Sequence, residues 1–144
     1  MRAVYKYWAA LVFLAVIVQV GLAGYGAFFV ANAVDESPVN EDKFEDGFGL
    51  HAGIGYLVVL LGLIFLVIAL AARIGKPRIW RNVWLAGLLV LQVLLAWFGF
   101  GVPAIGALHP INALAIFALS GSIAWAAWRE PAQEPAGEIA VELG

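Results

Sequence analysis

The chain has no cysteine, which excludes disulfides, thiolate metal sites, iron–sulfur clusters and thiol redox chemistry. Charge is also scarce: 12% of the 144 residues are charged and 64% are hydrophobic, with a mean hydropathy of +0.94. A soluble domain averages about 25% charged and about 45–50% apolar, so this composition belongs in a lipid bilayer. Histidine is nearly absent, with His51 and His109 the only two. No nucleophile with a partnered base and no phosphate-cradling loop is visible, and the span-embedded acids of proton-coupled transporters are missing. No catalytic residue is assigned, whether the protein is an enzyme stays open, and no nucleic-acid partner is expected.

What is present is four long apolar runs, approximately 7–31, 50–72, 83–101 and 110–128. Each is near the length of about 20 residues needed to cross about 30 Å of hydrocarbon. The expected fold is an all-α integral membrane protein, a four-helix transmembrane bundle over residues 1–129. Residues 130–144, with two prolines and four acids, read as a disordered cytoplasmic tail. Ala31-Asn32-Ala33 imitates a signal-peptidase site, but the preceding apolar run is longer than the 7–15 residues of a signal peptide. An uncleaved first span is therefore expected.

The basic residues set the orientation. Arg2, Lys6, Arg73, Lys76, Arg78, Arg81 and Arg129 all fall on one side of these spans, and only Lys43 falls on the other. The positive-inside tendency then puts both termini and the 73–82 loop on the cytoplasmic side of the membrane. The outer connection, Asp35 to Gly47, carries six carboxylates. It reads as a solvated, partly mobile loop, or as a docking patch for a basic partner. In the inner connection, Gly75 and Pro77 are expected to end the second span. Trp8, Trp80, Trp84, Trp125 and Trp128 fit an interfacial aromatic belt, whereas Trp97, towards the outer end of the third span, is a candidate pocket residue.

A repeat runs through the chain. Gln19-Val20-Gly21-Leu22-Ala23-Gly24-Tyr25-Gly26 and Gln92-Val93-Leu94-Leu95-Ala96-Trp97-Phe98-Gly99 both read Q-V-x-L-A-x-x-G. The spans that follow them open on Leu50-His51 and Leu108-His109. The bundle is thus expected to be two repeated helical hairpins, each with a Gln on its first helix and a His opening its second. Both run in the same direction, related by an axis along the membrane normal. Gln19 and Gln92, as polar groups within lipid, need partners and are expected to hydrogen-bond across the bundle.

A polar, metal-capable ring inside an apolar span is costly and marks function. Two such rings at matched depth suit the axial positions of one haem iron. His51 and His109 are the candidate ligands. Gly53 and Gly55 are candidates for close approach to a flat cofactor, and Asn112 for orienting His109 or bonding the cofactor. Pro110 fits a first helical turn. A competing arrangement adds Glu45 or Asp46 to the two histidines as an outer zinc or copper site. A third possibility is a cofactor-free accessory subunit of a larger membrane complex.

Gly49-Leu50-His51 followed by Gly53-Ile54-Gly55-Tyr56, and Leu108-His109-Pro110-Ile111-Asn112-Ala113, resemble small bacterial four-span membrane proteins. Through these the chain is similar to one half of haem A synthase, in which each four-helix half carries a histidine at the outer end of its second helix and another in its fourth. The resemblance covers all four spans. It implies a cytochrome b-like bundle holding one b-type haem through His51 and His109, acting in electron transfer or haem handling. A membrane redox complex is its implied partner. The enzyme's glutamate before the first histidine and arginine after it are replaced here by Phe48 and Ala52.

Overall fold

The computed structural model describes residues 1–34, 38 and 40–129; the expected disordered tail at 130–144 lies outside them. Five helices follow in order: α1 (Arg2–Val34), α2 (Glu41–Ala71), α3 (Lys76–Gly101), the one-turn α4 (Pro103–Gly106) and α5 (Leu108–Arg129). No strand occurs among the described residues. The four long helices are each apolar and long enough to cross a membrane. The fold is therefore the all-helical, four-span bundle that the composition implies.

Two boundaries differ from the sequence expectation. Half of the acidic connection between the first two spans is helical, because Asn40 caps α2 by accepting the Lys43 N–H on its side-chain oxygen at 3.0 Å. Glu41, Asp42, Glu45 and Asp46 then sit in the first turns of α2, where the exposed N–H groups of a helix start favour negative charge. Pro77 opens α3 instead of closing α2, its missing N–H costing nothing in a first turn. The reversal is made by Arg73 (φ 50°) and Gly75 (φ 95°).

α1 packs on α2 and α5, and α3 packs on the same two, while the backbones of α2 and α5 stay apart, as do those of α1 and α3. α2 and α5, the helices bearing the histidines, are therefore diagonal across the bundle. The repeat is carried into the packing. Ala9, Val12 and Val16 of α1 are buried, and so are Asn82, Leu85 and Leu89 of α3, at the same sequence offset that relates Gln19 to Gln92. Val58 and Phe65 of α2 likewise match buried Ile116 and Ile123 of α5, at the offset between the histidines.

The buried core joins Tyr5, Ala9, Val12, Val16, Val58, Phe65, Ala69, Leu85, Leu89, Ile116, Ile123 and Ala124. All of these lie on the basic side of Gln19 and Gln92. Beyond that level the buried residues are few: Gly26, Gly47, Leu95 and Asn112. Buried residues are thus concentrated in the basic half of the bundle and sparse around the histidines.

Each hairpin is pinched near its acidic end by a repeat glycine. A Cβ on Gly26 would lie 2.8 Å from the Gly47 carbonyl oxygen, and one on Gly99 would lie 2.6 Å from the Gly106 Cα. Both contacts require the bare backbone, the closest approach two transmembrane helices can make.

Candidate functional site

The site is built from the two repeats. In the first hairpin, the ring Nδ1 of His51 lies 3.2 Å from the main-chain oxygen of Gln19. In the second, Nδ1 of His109 lies 3.0 Å from the main-chain oxygen of Gln92. A carbonyl oxygen only accepts, so in both rings Nδ1 carries the hydrogen and donates it. The neutral ring then leaves Nε2 with its lone pair free, which is the nitrogen a metal takes. The helices of each hairpin thereby set the tautomer of its own histidine.

The two rings meet across the diagonal, with centroids 6.3 Å apart and planes inclined at 68°. Both histidines are partly buried. The expectation that they converge at one level is met by the geometry. Towards the acidic end of the bundle Phe48 stands edge-on to His51 at 6.2 Å, Phe44 stacks on Phe48 at 4.8 Å, and Phe100 meets Phe44 at 5.8 Å. These aromatics screen the pair from the acidic end. Phe48, one turn before His51, is the sequence signal that was available for this screen.

The glutamine side chains differ between the repeats. Gln92 accepts the Asn112 amide on Oε1 at 2.6 Å, and the same amide reaches the Leu88 main-chain oxygen at 2.9 Å. Asn112 is thus tied to α3 and steadies the residue whose carbonyl holds His109. It acts on His109 only at one remove, and its amide nitrogen is committed to α3 and not to a cofactor. Gln19 instead donates Nε2 to the His51 main-chain oxygen at 2.6 Å, and its buried Oε1 has no donor. The repeat counterpart of Asn112 is Ile54, which offers none.

Three residues expected at the site are elsewhere. Gly55 faces Gln19: a Cβ there would lie 2.8 Å from Gln19 Nε2, so its smallness lodges the glutamine side chain. Gly53 is exposed, with nothing within 4 Å of an added Cβ, and faces outward. Trp97 is 61% exposed and donates its indole N–H to the Tyr56 hydroxyl at 3.0 Å on the lipid side of α2 and α3. Among the described residues no group of three or more histidines and carboxylates gathers. Neither Glu45 nor Asp46 therefore completes a three-ligand zinc or copper site with the histidine pair.

Of the tryptophans assigned to the interface, Trp80, Trp84, Trp125 and Trp128 are exposed. Trp8 turns inward and donates to the Leu61 main-chain oxygen at 3.1 Å.

Residues 37–101 match the model of a family of unknown function (DUF6220). The matched stretch takes in His51, Gln92 and Trp97, and leaves out Gln19 and His109. No curated protein matches the chain, and no solved structure matches it.

Proposed function

We propose that the protein is a membrane cytochrome-like protein that holds one b-type haem between His51 and His109, near its acidic, outer end. The observation that carries this reading is the ring separation. Iron bound by two imidazoles at about 2.0–2.1 Å each, plus half a ring on either side, puts the ring centres about 6 Å apart; here they are 6.3 Å apart.

Three further features support it. The histidines come from diagonal helices, so a planar group between them is edged by the other two helices. Both Nδ1 atoms are engaged by main-chain oxygens, a partner that orients a ligating imidazole and makes its other nitrogen more basic. The buried apolar core stops short of the pair, so a group bound between the rings would displace none of it. The resemblance to one half of haem A synthase points the same way.

Bound there, a haem would be held by His51 and His109 and would supply one-electron transfer. The chain's own contribution is to fix two imidazoles in one tautomer, surround them with apolar side chains and screen them from water with Phe48 and Phe44. The basic end faces the cytoplasm in this reading. The acidic first turns of α2 then face outward, where a basic redox partner would meet them. Haem handling is the alternative use of the same pair.

The test is the absorption spectrum of the purified full chain from haem-replete cells. A Soret band, with sharp α and β bands on reduction, is expected. His51→Ala and His109→Ala should each abolish that low-spin spectrum. A colourless wild-type protein, or an unchanged spectrum in both variants, overturns the assignment.

A further inference from the structure

Seven basic residues cluster at the end of the bundle away from the histidines, and the structure treats them unequally. Lys6 lies over the Trp128 ring at 3.9 Å and Arg129 over Trp125 at 4.1 Å. Arg2, Arg73 and Lys76 are exposed, whereas Arg78 and Arg81 are partly buried. These two arginines line a crevice with Tyr5 of α1 and with Ile123, Ala126 and Ala127 of α5.

Every polar side chain in that lining can donate. Arg81 gives one N–H to the Ser122 hydroxyl at 2.7 Å, which fixes the guanidinium and leaves its remaining donors available. The Tyr5 hydroxyl accepts from Asn82 Nδ2 at 3.1 Å, so its own hydrogen is left to donate. The four carboxylates among the described residues, Glu41, Asp42, Glu45 and Asp46, all sit at the opposite end. The Arg81 guanidinium, set beside apolar side chains of α5, gains from an anion that offsets its lost hydration.

We propose that Arg78, Arg81 and Tyr5 form a site for the phosphate of an anionic phospholipid, seated where α1, α3 and α5 converge. Depth supports a lipid source. Trp80 and Trp84, 62% and 66% exposed, bracket Arg81 along α3, and exposed tryptophans mark the headgroup level. Basic pockets between transmembrane helices recognise such headgroups. Arginine suits the task, because its planar fork meets two phosphate oxygens at once. The crevice measures about 10 Å³, room for one oxygen-sized group. One phosphate oxygen enters it, and the rest of the headgroup lies over the mouth.

The experiment compares the full chain in phosphatidylcholine nanodiscs with and without phosphatidylglycerol, reading the unfolding temperature and the lipid retained in native mass spectra. Phosphatidylglycerol is expected to raise the unfolding temperature and to remain bound. Arg81→Gln and Arg78→Gln should each lose most of both effects, Arg81→Lys should keep part of them, and Arg73→Gln and Lys76→Gln should keep them in full.

Equal losses in all four glutamine variants would overturn the site in favour of diffuse attraction. The same rise from inorganic phosphate in lipid-free detergent would overturn the lipid source. If replacing Glu130, Glu134, Glu138 and Glu142 with glutamine destabilised the protein, and Arg81→Gln abolished that effect, the occupant would be the chain's own acidic tail and the lipid proposal would fall.

Discussion

Gln19 and His51 clasp each other in both directions. The Gln19 side chain donates to the His51 main-chain oxygen at 2.6 Å, and the His51 ring donates to the Gln19 main-chain oxygen at 3.2 Å. Because the ring is held by backbone, the orientation of His51 depends on the approach of α1 to α2 more than on the glutamine side chain. His109 is held by the Gln92 backbone in the same way.

Removing the two glutamine side chains should therefore have unequal effects. Gln92→Leu strips Asn112 of its side-chain acceptor and leaves its amide only the Leu88 main-chain oxygen, a loss of about 1 kcal/mol. Gln19→Leu gives up one hydrogen bond but also removes a buried oxygen that has no donor, so its cost is expected to be smaller. Unfolding of both variants in detergent measures the difference, and equal destabilisation would contradict it.

Ile54→Asn places a donor at the counterpart of Asn112. The variant is expected to unfold at or above the wild-type temperature if the new amide reaches Gln19 Oε1. A loss as large as that of Gln92→Leu would show that the α1–α2 pairing has no room for it.

The glycines divide cleanly. Gly26→Ala and Gly99→Ala drive a methyl into a carbonyl and into a backbone Cα respectively; both should lower the unfolding temperature by separating the hairpin helices. Gly53→Ala meets nothing within 4 Å and should be neutral to stabilising, by up to about 1 kcal/mol from helix propensity. Thermal unfolding of the three variants side by side is the check.

Trp97→Phe should break the bond to Tyr56 and leave the expected haem spectrum unchanged, because the indole faces lipid. A displaced Soret band in that variant would put Trp97 against the cofactor. Phe48→Ala, by contrast, opens the screen over His51, so a change in the reduced spectrum or faster loss of the cofactor is expected there.

Much of this protein is legible in one dimension. Apolar runs of spanning length and a doubled Q-V-x-L-A-x-x-G followed by histidine determined four helices and two like hairpins. The physical reason is that a bilayer fixes helix length and charge placement before any packing is decided. The capped start of α2 was less visible, because an acidic stretch suits both a solvated loop and the first turn of a helix.

Only the tertiary structure decided which face of each helix turns inward. In lipid the outward and inward faces are both apolar, so hydrophobic periodicity carries little information about rotation. Rotation is what sent Gly55 to Gln19, Gly53 and Trp97 outward and Asn112 to α3. It also brought two imidazoles, far apart in sequence, together across a diagonal.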